Sequence, residues 1–92
     1  MSEDKAHVYV MKSGSYYKIG WAIDPKKRLK QLQTGNPREI RLIGTLECET
    51  RLLAKDLERH FQEHYPDKII RGEWYDLSAI EIKQLLGMVR LI

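Results

Sequence analysis

A chain of 92 residues has room for one domain and one modest core, which excludes a second folding unit within residues 1–92. It is 42% apolar and 32% charged, it has no apolar run near the roughly 18 residues of a bilayer span, its first five residues are too polar for a signal peptide, and Cys48 is its only cysteine. One folded cytoplasmic domain is expected, with no membrane partner, internal disulfide or CxxC metal site. The net charge of +3 is uneven, because residues 1–45 carry nine Lys/Arg against four Asp/Glu and residues 46–92 carry seven against nine.

In chain order, His7 to Lys12 and Tyr16 to Trp21 read as two strands joined at Ser13-Gly14, a tight hairpin. A two-residue turn at Ser13-Gly14 would set Lys12 opposite Ser15, Val10 opposite Tyr17, Tyr9 opposite Lys18 and Val8 opposite Ile19. One face is then core, with Val8, Val10, Tyr17 and Ile19. The other carries His7, Tyr9, Met11, Tyr16, Lys18 and Gly20, a mixture of hydroxyls and charge unlike a buried layer, and it is the candidate site. Asp24-Pro25 has the pattern of an N-cap followed by proline at the first helical position, opening a helix to about Gln33 with Leu29 and Leu32 as its buried edge. The cluster Thr34-Gly35-Asn36-Pro37 stops it.

Glu39 to Glu47 fits a third strand. A second helix, from about Thr50 to Tyr65, is expected to bury Leu53, Leu57, Phe61 and His64, with Ala54, Glu58, Gln62 and Tyr65 on the adjacent stripe. Pro66-Asp67 should end it. Ser78 caps a last helix to about Arg90, which docks through Ile82, Leu85, Leu86 and Val89. The fold class is α+β, a three-stranded antiparallel sheet flanked by three helices in a single domain, with the motifs in about 7–78 and the C-terminal helix over about 79–90.

The ordered motifs carry a resemblance. His7-Val8-Tyr9 and Lys18-Ile19-Gly20 stand where the GIY-YIG nuclease superfamily has its two tripeptides, Arg28 follows Gly20 by eight residues, and Glu58 precedes the Glu73 of Gly72-Glu73-Trp74-Tyr75 by fifteen. Over roughly residues 7–78 the sequence resembles the short phage and bacterial branch of that superfamily, in which Tyr-Lys-Ile-Gly and Gly-Glu-Trp-aromatic recur. The resemblance implies a metal-dependent endonuclease. Tyr9, with Lys18 favouring its phenolate, would activate water, Arg28 would hold a non-bridging phosphate oxygen, and Glu58 would bind Mg²⁺ or Mn²⁺, with Glu73 as a further metal residue. Lys26, Lys27, Lys30 and Arg38 are the expected contacts to nucleic acid, with double-stranded DNA as partner. With no appended reader domain, specificity would be weak, or would come from self-association or a separate partner.

Plainer readings stand beside these. A strand tyrosine is usually a packing residue, Arg28 and the lysines could be a solvated helix face, and Glu58 could sit in an ordinary salt bridge. Lys18 replaces the second tyrosine of the family, and Gln62 stands where some relatives have a histidine and cannot act as a base. Both departures keep open a module with the same fold that binds nucleic acid without cutting it. His60 and His64 have the i, i+4 spacing of a metal pair but lack a third ligand. Cys48 is a conceivable thiol nucleophile, and Tyr16 offers an exposed aromatic for a protein-interaction domain.

Overall fold

The computed structural model describes residues 5–65, 69–71 and 74–91. Its elements in chain order are β1 (Ala6–Ser13), β2 (Tyr16–Ala22), α1 (Pro25–Thr34), β3 (Arg41–Cys48), α2 (Arg51–Glu63), β4 (Ile69–Arg71), β5 (Trp74–Tyr75), α3 (Ala79–Leu86) and β6 (Arg90–Leu91). The class is α+β, as expected. The sheet, however, has six strands among the described residues rather than three, in the order β4-β5-β2-β1-β3-β6 with every pair antiparallel. The extra strands are two or three residues long, too short for an alternating pattern to show in sequence, and they extend the β2 and β3 edges of the three-stranded centre.

The hairpin turns one residue later than expected. Ser13 pairs with Tyr16, so Gly14 and Ser15 form the turn, Lys18 lies opposite Met11 and Tyr9 opposite Gly20. The cause is conformational. Gly14 has φ +61° and is the single residue with positive φ among those described. A two-residue hairpin turn with positive φ at one position takes glycine first, whereas glycine in second place would have needed positive φ at Ser13 as well. The register moves by two residues, so every side chain keeps its expected face.

Val8, Val10, Tyr17 and Ile19 are buried against α2 and α3, in a core with Ala6, Cys48, Ala54, Phe61, Tyr65, Leu85 and Val89. The opposite face corrects an expectation, because its centre is buried too. Leu29 and Leu32 of α1, with Ile40, Leu42 and Trp74, pack around Tyr9 and Met11. In β3 the pairing slips between Val10 and Met11, leaving Ile43 as an inserted residue. Leu42 therefore joins the α1 side and Ile43 and Leu46 the α2–α3 side.

The helix starts follow their caps. Asp24 accepts from the Lys27 amide at 3.2 Å, Thr50 from the Leu53 amide at 3.1 Å, and Ser78 forms a capping box with Glu81. In α2 the buried residues are Ala54 and Phe61, with Tyr65 buried just beyond its end, while Leu53 is 43% exposed and His64 is exposed. The stripe expected through Leu53 and His64 is thus turned toward Ala54, Glu58 and Tyr65. Phe61 is buried as expected, and the rotation exchanges Leu53 and His64 for Ala54 and Tyr65. The last helix ends at Leu86 rather than near Arg90, because Gly87 is a poor helix former, and Arg90–Leu91 instead pairs with β3. Its predicted docking residues are packed: Leu85 and Val89 are buried, and Ile82 and Leu86 partly so. The expected stop at Pro66-Asp67 lies outside the described residues. Among the described residues no helix is long and apolar enough to cross a membrane.

Candidate functional site

Tyr9 occupies the middle of the central strand and is 2% exposed. Its ring lies across the neighbouring strand at Gly20, where a Cβ would overlap the phenol oxygen and Cζ. Gly20 is therefore required by close approach, and it fixes where the tyrosine hydroxyl comes to rest. Lys18 shares this face, two residues along β2 from Gly20, and is a diagonal neighbour of Tyr9. Such diagonals are roughly 7–8 Å apart, within reach of two long side chains. Lys18 is only 6% exposed, and its ammonium stands 5.8 Å from the centroid of Trp74, its partner across β2–β5. Lys18 was expected directly opposite Tyr9 and instead shares its face one pair away.

Arg28 is exposed and adjoins the partly buried Leu29 on α1, and its Nη1 donates to the Gln31 Oε1 at 3.4 Å. It shares a pocket of about 400 Å³ with Ala22, Ile23, Asp24, Lys27 and Gln31. Ala22 is two residues beyond Gly20 on the same strand face, which sets Arg28 at the margin of the tyrosine-bearing surface. Lys26, Lys27 and Lys30 are exposed on α1. Arg38 is exposed as well, but it belongs to the segment before β3 and lines a separate pocket near the hairpin turn.

Glu58 comes from the other layer. It is half-buried on α2, between the buried Ala54 and Phe61 in sequence, and it lines a surface pocket with Leu52, Lys55, Asp56 and Arg59. Gln62, one turn later, donates from Nε2 to the Ile19 carbonyl at 2.9 Å. This bond ties α2 to β2 beside Gly20, and it gives a structural role to Gln62, which stands where some relatives have a histidine. The structure thus gathers Tyr9, Lys18 and Trp74 on one face with Arg28 at its edge, while Glu58 rises from the helix packed on the opposite face. Glu73 lies outside the described residues.

The remaining candidates divide plainly. Cys48 is buried, its Sγ donates to the Leu46 carbonyl at 3.6 Å, and burial pushes its thiol above the ordinary value, so it packs and stays protonated rather than serving as a nucleophile. His60 and His64 stack edge-on, with ring centroids 4.8 Å apart. No group of three or more His, Cys, Asp or Glu side chains converges as a metal site among the described residues. A Mg²⁺ ion does not demand such a group, since one carboxylate and several waters suffice, and the half-buried carboxylate of Glu58 fits that requirement. Three contributors escape sequence reasoning: Gln62, whose partner is a backbone carbonyl 43 residues away, and Lys12 and Arg41, which meet only through the β1–β3 register.

The family model for the T5orf172 domain matches residues 6–91. No curated protein and no solved structure matches the chain. The chain belongs to the T5orf172 domain family.

Proposed function

We propose that the protein is a GIY-YIG-type endonuclease that hydrolyses phosphodiester bonds in nucleic acid, with double-stranded DNA as the substrate and the cytoplasm as its compartment. The observation that carries this reading is the placement of Tyr9 over Gly20, with Lys18 on the same face. A buried tyrosine whose hydroxyl end is positioned by a glycine, beside a lysine held at 6% exposure, is more constrained than packing alone requires. The Tyr9 oxygen would position the attacking water, and the Lys18 ammonium would favour negative charge developing there. Arg28, exposed at the margin, would hold a non-bridging phosphate oxygen. Glu58 is the residue that would hold Mg²⁺ or Mn²⁺, whose chemistry when bound is to neutralise charge on the phosphoryl group and the leaving oxygen. Lys26, Lys27 and Lys30 extend the positive surface along α1 for the backbone on either side.

Plasmid cleavage with Mg²⁺ or Mn²⁺, run beside Glu58→Ala and Arg28→Ala, tests the proposal. Loss of nicking in both variants supports it, and wild-type cleavage no greater than theirs refutes it. A second reading, a module that binds nucleic acid without cutting it, is favoured by the position of Glu58 on α2, which packs on the sheet face opposite Tyr9, and by Lys18 in place of a second tyrosine. It predicts salt-sensitive retention of DNA with no nicking, weakened by replacing Lys26, Lys27 and Lys30 together.

A further inference from the structure

The β1–β3 register sets Lys12 directly opposite Arg41. Like charges in directly opposed positions destabilise a sheet unless something negative lies between or beside them. A third cation converges on the same place: Arg38 lines one pocket of about 400 Å³ with Lys12, Gly14, Glu39 and Arg41. Its Nη1 would be 3.4 Å from a Cβ at Gly14, so the guanidinium leans over the hairpin turn where no side chain stands in its way. The Lys12 ammonium is held 5.7 Å from the centroid of the Tyr17 ring. Glu39 is the single acid of the pocket and makes no ion pair with any of the three cations among the described residues. Three positive side chains from three segments thus face one concave space with a net charge of +2.

We infer that Lys12, Arg38 and Arg41 form a phosphate-binding pocket that grips the backbone of a bound nucleic acid at a phosphate other than the scissile one. This inference rests on the nuclease reading for the identity of its occupant. Guanidinium pairs suit phosphate because their forked N–H groups meet two oxygens at once, and the lysine adds a point charge. Lys12 pairs with Tyr17 and so stands on the sheet face opposite Tyr9, with the pocket at the hairpin end of the sheet. The α1 lysines and this pocket would then hold the backbone at two separate places.

The test is fluorescence anisotropy of a short labelled DNA duplex as a function of salt, comparing wild type, Arg38→Gln/Arg41→Gln, and Lys26→Gln/Lys27→Gln/Lys30→Gln, with unchanged melting temperatures confirming that each variant is folded. Losing one phosphate contact lowers the slope of log affinity against log salt by about 0.9, which is close to tenfold in affinity at about 0.1 M salt. The pocket variant should show that loss, and it should add to the loss in the α1 variant. Wild-type binding that the pocket variant leaves unchanged in affinity and slope overturns the pocket while sparing the nuclease reading. If the wild type binds no duplex even at low salt, the nuclease reading falls with nucleic acid as the occupant, and inorganic pyrophosphate decides the rest. Saturable shifts of the Arg38 and Arg41 Nε–H resonances in wild type would keep the pocket as a phosphate site, and their absence would overturn it.

Discussion

Replacing Gly20 with alanine is the most direct probe of the tyrosine's placement. The added methyl would overlap the Tyr9 phenol oxygen and Cζ, and come within 3.0 Å of Cε1. Tyr9 cannot simply swing aside, because it is 2% exposed and packed among Met11, Ile40, Leu29, Leu32 and Trp74. Overpacking of this kind costs about 1–3 kcal/mol. In a domain of this size each kcal/mol moves the melting temperature by roughly 4–8 °C, so Gly20→Ala should melt some 4–24 °C below wild type. Urea denaturation of Gly20→Ala, Tyr9→Leu and the double variant would locate the cause. Removing the ring should recover part of the loss, with a coupling of about 0.5–3 kcal/mol between the two sites. If the two changes are additive within about 0.5 kcal/mol, the ring does not rest on Gly20 and the account of the site is wrong.

Gln62→Leu removes the donor to the Ile19 carbonyl and should cost about 1–3 kcal/mol in urea unfolding, whereas a loss below about 0.5 kcal/mol would mean that this bond does not hold α2 to the sheet. Ser78→Ala breaks the capping box of α3 and should cost about 1 kcal/mol, read as a lower urea midpoint with an unchanged slope. Burial raises the Cys48 thiol above its ordinary value of 9.0, so the unfolded chain ionises first; the stability this group contributes is complete below pH 9 and falls as pH climbs through the raised value. Urea midpoints measured from pH 8 upward should therefore decline more steeply for wild type than for Cys48→Ala, and parallel profiles would count against that burial. If Glu58 holds the metal, Glu58→Gln should abolish nicking at any Mg²⁺ concentration while leaving duplex binding within about twofold of wild type.

Much of this architecture was legible in residue order because it depends on parity and caps. Val8, Val10, Tyr17 and Ile19 reached their expected face although the turn moved, since a shift of two residues conserves alternation. Asp24, Thr50 and Ser78 opened their helices where their side chains can reach backbone amides. Apart from the placement of the hairpin turn and the end of α3, which are local, the errors were long-range. Burial of Tyr9 and Lys18 depends on α1 and Trp74 closing over a face that alternation alone leaves open. The inward arc of α2 was set by what the sheet receives rather than by hydropathy, which is why Glu58 and Ala54 displaced Leu53. The pairing of Lys12 with Arg41 is a fact of register, and no spacing in the sequence encodes it.

The inserted Ile43 has a consequence for how the chain tolerates change. It works as a frameshift in the side-chain pattern of β3, letting Leu42 and Leu46, an even number of residues apart, serve cores on opposite sides of one sheet. Deleting that single residue would make the pairing regular while leaving Leu42 opposite Met11 and Leu46 opposite Val8, each on its present face, so the loss would be the Ile43 side chain and the local bend rather than the sidedness of the strand. The bulge is therefore a reserve of one residue, able to absorb a single deletion within β3 by closing up, where a strand of regular pairing would have to send half its side chains to the wrong face.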